Sequence, residues 1–406
     1  MFSFACNTAK GSANDPLVFP KENFKEETKI VKTSTGDKKI LYRLYMHIPY
    51  VANPTNKDYQ SLNVSVPIKI NNKNIDAANA PILFIIGVGG YVSVNNARSL
   101  SNDSMVGRNT DLALAAGYVV VFPGCRGRDN KSKEGIYYGK APAAIVDLKA
   151  AVRYIKHNKG IFPGNVDWIF STGVSAGGAL SALLGASGNS PLFESYLKEI
   201  CAANASDDIF GSACFCPITD LEHADCAYEW MYGDTPTRSG LVDKKLSKQL
   251  KNYFAEYQST LNLQGKNNFG ILTADNYDKY LLKYYLIPSA NKYLKNLGDE
   301  KRAKYLTKNN WITWRNNEAV FSFKDYVVHV GRMKGLPAFD DFDMKQPEPI
   351  LFGNKTINAR HFTDFSLRHA TGNKNSKIDN KVKTLVNMMN AMYFISKNNS
   401  RCAKYW

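Results

Sequence analysis

The 406-residue sequence predicts an α/β protein whose mostly parallel sheet is covered by helices on both faces. Three observations carry that expectation. Ile82–Ile86 and Tyr118–Phe122 are short, continuous apolar runs of the kind found in strands buried on both faces. Apolar residues at helical spacing (Ile145, Leu148, Val152, Ile155) fall between such runs, so strands and helices alternate. The apolar run Val166–Thr172 passes directly into Gly173-Val174-Ser175-Ala176-Gly177-Gly178 and then into the small-residue run Ala179–Leu184, the pattern of a sharp strand-to-helix turn around a serine.

Taken in order, Ile40–Ile48 and the alternating Leu62–Val66 read as early antiparallel edge strands. Ile82–Ile86 reads as a central strand running into the glycine loop Gly87-Val88-Gly89-Gly90-Tyr91. Thr110–Ala116 is a helix stopped by Gly117, and Tyr118–Phe122 is a strand ended by Pro123-Gly124. Pro142 opens a helix at its favoured first turn, and Gly160 and Pro163 close it. The serine turn follows, and then a strand over Ile209–Cys216 that ends in Pro217-Ile218-Thr219-Asp220. From Asp234 the texture changes to lysine- and tyrosine-rich helices, Leu246–Leu261 and Asp278–Leu297, and then an irregular stretch over Arg332–Asp343. So long an excursion between strands predicts an inserted lid. Asn380–Ser396 returns to helical spacing. The expected organisation is a tail over 1–30, a core over 31–233, a lid over 234–374 and a return to the core over 375–406.

The net charge of +16 comes from lysines dispersed through helices, not from arginine clustered on one element, which argues against nucleic-acid binding. No apolar run is long enough to span a membrane. Met1–Ala13 lacks the basic-then-apolar pattern of a secretory signal, which places the chain in the cytoplasm by default. Phe4-Ala5-Cys6 would suit an exported lipoprotein only if the N-terminus were longer. The seven cysteines show no disulfide or zinc spacing, and Cys214-Phe215-Cys216 reads as core thiols in a strand. No metal and no cofactor are expected. The oligomeric state is not legible.

Ser175 is the candidate nucleophile. Glycines two residues to either side leave the chain room to turn, and the helix that follows turns its positive end toward the serine. The Ala176 N–H would point where a tetrahedral oxyanion forms, and the loop at Gly89 and Gly90 would bring a second donor without a side chain in the way. A serine hydrolase of this architecture places its acid and then its base after the serine. His223 follows too soon, and a structural or pocket-lining part suits it better. His329, His361 and His369 fall in the expected lid, where Asp340 with His361 or His369 could in principle form a triad reaching over from the cap, although no strand signal precedes either partner in the expected way.

The chain resembles the bacterial tannases of the lactic-acid-bacterial type, α/β-hydrolases that cleave galloyl esters. The segments that carry the resemblance include Val88-Gly89-Gly90-Tyr91, Arg126-Gly127-Arg128, Ala141–Ala151, the serine turn, Cys216-Pro217-Ile218 and Leu221–Trp230. Arg332-Met333-Lys334, Pro337–Asp340, Pro347-Glu348, Leu351-Phe352-Gly353 and His361-Phe362-Thr363 extend it. The resemblance implies Ser175 as nucleophile, with Ala176 and the Gly89/Gly90 loop as oxyanion hole. It also implies that Lys334 and Glu348 contact the phenolic hydroxyls, with Ile218 and Pro347 as apolar walls. Three adjacent hydroxyls are each donor and acceptor, so an ammonium and a carboxylate would orient the ring.

The family pattern continues past the segment resembled by Arg401–Trp406 into strands that bear the acid, the base and a further ring contact. The sequence therefore reads as an incomplete or degenerate tannase-like ester hydrolase with little turnover of its own. Two other readings stand beside it: a non-catalytic binding protein on the same fold, and an esterase for other phenolic esters such as feruloyl esters. In each case the partner is a small-molecule phenolic ester.

Overall fold

The computed structural model describes residues 15–97, 105–233, 235 and 242–397. The chain divides into two compact units, Met1–Leu221 with Met344–Trp406, and Glu222–Asp343.

The first unit is built on an eight-stranded sheet: β1 (Lys25–Thr33), β2 (Gly36–Pro49), β3 (Ser61–Ile70), β4 (Lys73–Asn74), β5 (Pro81–Ile86), β6 (Val119–Pro123), β7 (Asn165–Val174) and β8 (Gly211–Phe215). The strand order is β1-β2-β3-β6-β5-β7-β8, with β4 paired to β3. The first half is antiparallel. β6, β5, β7 and β8 run parallel, with Ile82 opposite Val119 on one side and Ile169 on the other. The continuous apolar runs thus occupy the middle of the sheet, and Ile82, Phe84, Val119 and Val121 are fully buried. β1 had no sequence signal: its residues are mostly exposed, and it is held by a short hairpin to β2 with Thr33 opposite Gly36.

In the first unit the helices are α1 (Met105–Ala115), α2 (Ala143–His157), α3 (Ala176–Ala186) and α4 (Glu194–Glu199). The second unit holds α5 (Ala224–Tyr232), α6 (Lys244–Thr260), α7 (Tyr277–Leu281), α8 (Ile287–Asn296), α9 (Gly298–Lys308) and α10 (Phe323–Val330). Back in the first unit come α11 (Pro347–Leu351), α12 (Asp364–Thr371), α13 (Asn380–Met389) and α14 (Ala391–Lys397).

α2 is buried all round except at Lys156, not on one face only. Its charged residues are tolerated there because each is paired. Asp147 holds Arg126, Lys149 Nζ donates to Asp207 at 2.7 Å, and Arg153 reaches Asp207 and Glu194. At their C-terminal side both α1 and the turn after α2 meet a glycine at positive φ, Gly117 at 89° and Gly160 at 89°.

Four expectations are corrected. The single helix read over Asp278–Leu297 is α7, a π-helical turn over Leu282–Leu286, and α8. Pro288 lies in the first turn of α8, where its missing N–H interrupts the regular ladder, and the π turn takes up the mismatch. Asn380–Ser396 is likewise two helices. Asn390 breaks it in extended backbone, and its side-chain Oδ1 accepts the Leu221 N–H at 2.6 Å while the Met392 N–H binds Thr219 O. The Cys214-Phe215-Cys216 triplet is not core: β8 has one strand neighbour among the described residues, and Phe215 and Cys216 are exposed. Cys125, Cys214, Cys216 and Cys226 are free as expected, but Cys201 is disulfide-bonded.

The second unit has a small core of its own around Leu294, Ile312 and Ala319, flanked by Trp311 and Trp314. Among the described residues no helix is long and apolar enough to cross a membrane.

Candidate active site

Ser175 joins β7 to α3. Its backbone sits at φ 57° and ψ −124°, a conformation that costs a side-chain-bearing residue free energy and is retained where a function needs it. Its N–H donates to Phe215 O at 2.9 Å, which ties the turn to the end of β8, and its side chain is exposed. Three glycines make the turn possible. A Cβ on Gly173 would stand 2.4 Å from the Gly177 carbonyl, one on Gly177 2.6 Å from Ile86 O, and one on Gly178 2.5 Å from Phe215 O. All three partners are backbone atoms that cannot swing aside.

The glycine loop after β5 is fastened to the same place. The Gly177 N–H donates to Val88 O at 3.0 Å, binding the start of α3 to the loop. Gly89 O takes the Val92 N–H at 3.0 Å, and Gly90 O takes Arg128 Nε at 2.6 Å. In a trans peptide the C=O and the following N–H point in opposite directions, so the Gly90 and Tyr91 N–H groups are turned away from these partners. Ala176, the first residue of α3, has no carbonyl a turn earlier to take its N–H. A Cβ built on Gly89 meets nothing within 4 Å, so that position borders open space.

Pro347 and Glu348 open α11. Pro347 Cγ lies 3.6 Å from where a Gly90 Cβ would be, which puts this residue against the glycine loop. Glu348 is buried. Tyr91, at φ 57° beside them, is buried with no hydrogen-bond partner for its hydroxyl among the described residues. Burial pushes its phenol far up, and the Glu348 charge adds to the shift. Ile218 is half-buried on the segment that leaves β8, three residues beyond the Phe215 carbonyl that holds Ser175.

Lys334 belongs to the second unit. Its ammonium lies over the Phe339 ring, 4.4 Å from the centroid.

The histidines are employed elsewhere in several cases. His223 precedes α5 and stacks on Tyr257 with centroids 3.4 Å apart, and His329 stacks on Trp311 at 4.4 Å. His157 Nε2 pairs with Asp15 at 2.8 Å. His361 is buried, His369 lies in the last turn of α12, and the Asp340 N–H donates to Asp225 in the second unit. Among the described residues no group of three His, Cys, Asp or Glu is placed to hold a metal.

Two residues escaped the sequence reading. Arg128 was visible only as part of Arg126-Gly127-Arg128, with no role to attach to it. The other is Tyr91, whose positive φ a tyrosine does not advertise.

A mixed sheet whose parallel half carries a serine turn at the carboxyl end of one strand, faced by a glycine loop from the neighbouring strand, defines an α/β-hydrolase. Known proteins agree. The BD-FAE family model matches residues 68–263. The Fusobacterium nucleatum tannase is 37% identical with a TM-score of 0.79, covering 95% of this chain and 86% of that one. A tannin acyl hydrolase solved in complex with ethyl gallate is 33% identical with a TM-score of 0.80, at 95% and 86% coverage. The native tannin acyl hydrolase from Lactobacillus plantarum is 32% identical with a TM-score of 0.80, at 95% and 85%. Among curated proteins, the esterase LipC of Mycobacterium tuberculosis is 27% identical over 173 residues, 42% of this chain and 36% of that protein. The esterase LipQ of the same organism is 32% identical over 90 residues, 22% and 20%. The match thus spans about a third and a fifth of these two curated relatives' lengths.

The chain belongs to the bacterial tannase family.

Proposed function

We propose that this protein is a carboxylic-ester hydrolase for galloyl esters, with Ser175 as the nucleophile that forms an acyl-enzyme. The observation that carries the reading is the strained Ser175 backbone at the start of α3, bound through Gly177 N–H to Val88 O and thereby to the glycine loop. In that chemistry Oγ attacks the ester carbonyl, its proton passes to a base and then to the departing alcohol, and water cleaves the acyl-serine. The Ala176 N–H and the Gly89/Gly90 loop would stabilise the oxyanion. The family's tannin acyl hydrolase in complex with ethyl gallate supports galloyl as the acyl group. Lys334 and Glu348 would hold the ring hydroxyls, with Ile218 and Pro347 against its faces.

Turnover by a chain of this sequence is low in this proposal, because histidines are engaged in other pairings: His157 with Asp15, His223 stacked on Tyr257 and His329 stacked on Trp311. The same observation favours a second reading, a binding protein that keeps the fold without the reaction.

A fluorophosphonate probe together with methyl gallate separates the readings. Labelling of the chain, lost in Ser175→Ala, with slow methyl gallate hydrolysis is the expected result. Hydrolysis at about 1 s⁻¹ or faster that Ser175→Ala abolishes would overturn the low turnover. Absence of labelling with retained methyl gallate binding would establish the binding protein. Faster cleavage of ferulate than gallate esters, unaffected by Lys334→Met, would move the specificity to other phenolic acids.

A further inference from the structure

Helix α5 carries Asp225, Tyr228 and Glu229, spaced three and four residues apart, on one face. All three reach the irregular segment that follows α10 within the same unit. The Tyr228 hydroxyl oxygen accepts two consecutive backbone donors, the Met333 N–H and the Lys334 N–H, each at 3.0 Å. The Asp225 carboxylate accepts the next pair along the chain, Phe339 N–H at 2.7 Å and Asp340 N–H at 3.1 Å. Glu229 forms a buried ion pair with Arg332 at 2.7 Å, and Arg332 in turn donates from Nε to Lys334 O and from Nη2 to Gly335 O.

The peptide groups on both sides of Lys334 are therefore fixed, its N–H by Tyr228 and its C=O by Arg332. The ring beneath its ammonium, Phe339, is fixed as well: its backbone hangs from Asp225, and its ring meets the Tyr228 ring edge-on with centroids 5.9 Å apart. A long lysine side chain has rotamer freedom that it must give up to hold a ligand. A backbone anchored at both peptides and a fixed aromatic surface remove part of that cost in advance.

We propose that Tyr228 is a positioning residue: by accepting the Met333 and Lys334 amides it presents the Lys334 ammonium to the hydroxyls of a polyhydroxylated benzoyl ester. The proposal rests on the reading of Lys334 as a ring contact.

The test is equilibrium binding of methyl gallate and of methyl benzoate, which lacks the hydroxyls, to the full chain and to Tyr228→Phe, Lys334→Met and the double variant. Tyr228→Phe keeps the aromatic packing and removes the acceptor. Methyl gallate affinity should fall about fivefold, the effect of one net hydrogen bond, with methyl benzoate unchanged. In the Lys334→Met background the same change should cost nothing further. Equal losses for both esters, or a loss that persists without Lys334, would overturn the positioning role and leave the Lys334 reading intact. No effect of Lys334→Met on methyl gallate, or no binding by the wild-type chain, would overturn both. Should Tyr228→Phe not fold, amide exchange on the wild-type chain decides. Methyl gallate, and not methyl benzoate, should slow exchange at Met333 and Lys334, and unchanged exchange with both esters would reject the proposal.

Discussion

Gly173 and Gly177 face one another across the Ser175 turn with so little room that a Cβ on the first would lie 2.4 Å from the carbonyl carbon of the second. Gly89, across the loop after β5, is the opposite case, with nothing within 4 Å of its own would-be Cβ. Gly173→Ala should therefore destabilise the chain by about 3 kcal/mol or more, since it forces backbone against backbone. Gly89→Ala should stay within about 0.5 kcal/mol of wild type in urea denaturation, yet slow fluorophosphonate labelling by placing a methyl at the ligand's approach. Equal stabilities of the two variants would refute the distinction.

The backbone at Ser175 predicts a gain of stability from losing the serine. At φ 57° and ψ −124° any side chain pays for the conformation, and glycine adopts it without that penalty. Ser175→Gly should be more stable than Ser175→Ala by about 1 kcal/mol, measured as the difference in urea midpoint at constant slope. Identical midpoints would show that the turn holds no such strain.

The apolar runs of β5, β6 and β7 and the periodicity of α2 made the middle of the sheet readable, because burial on both faces leaves no other composition. β1 was unreadable for the converse reason: it lies at the sheet's edge, mostly in water, and only pairing with β2 makes it a strand. At the site, Ser175 and its glycines were legible because a tight turn constrains residue type locally. Arg128 and Tyr228 were not, since each acts through a hydrogen bond to a backbone atom 38 or more positions away, and a backbone acceptor or donor leaves no mark on the partner's identity.

Asp147 predicts a large loss from the change of a single atom. It is fully buried and accepts the Arg126 backbone N–H at 2.8 Å, Arg126 Nη2 at 2.8 Å and Gln60 Nε2 at 2.9 Å. Asp147→Asn would leave the Arg126 guanidinium buried without its counter-charge, at a cost of about 3–5 kcal/mol. Adding Arg126→Met should recover part of that loss, because the uncompensated charge goes with it. Next in sequence, Gly127 packs on Val92 and Ser93 just beyond the glycine loop and Arg128 donates to Gly90 O within it, so the single variant should also label more slowly at Ser175. A double variant no more stable than the single would contradict the charge argument.

Lys140 predicts a pH dependence of stability. Its Nζ donates to Ile350 O at 2.8 Å and to Asn358 O and Oδ1, each at 2.9 Å, fastening the segment that begins with Pro347 and Glu348. Burial pushes this ammonium down from 10.5 to about 8, with the Arg128 charge adding to the shift. The folded chain then releases the proton near pH 8, while the unfolded chain keeps it to about pH 10.5. Between those values the unfolded state binds more protons, so this group makes stability rise with pH across the window and contributes no slope below it. Lys140→Met should remove that rise. At neutral pH the variant should also be less stable by about 2 kcal/mol, because three acceptors lose their donor. Urea denaturation at several pH values between 7 and about 10.5 reads both effects. A rise that survives the substitution would assign the titration to another group.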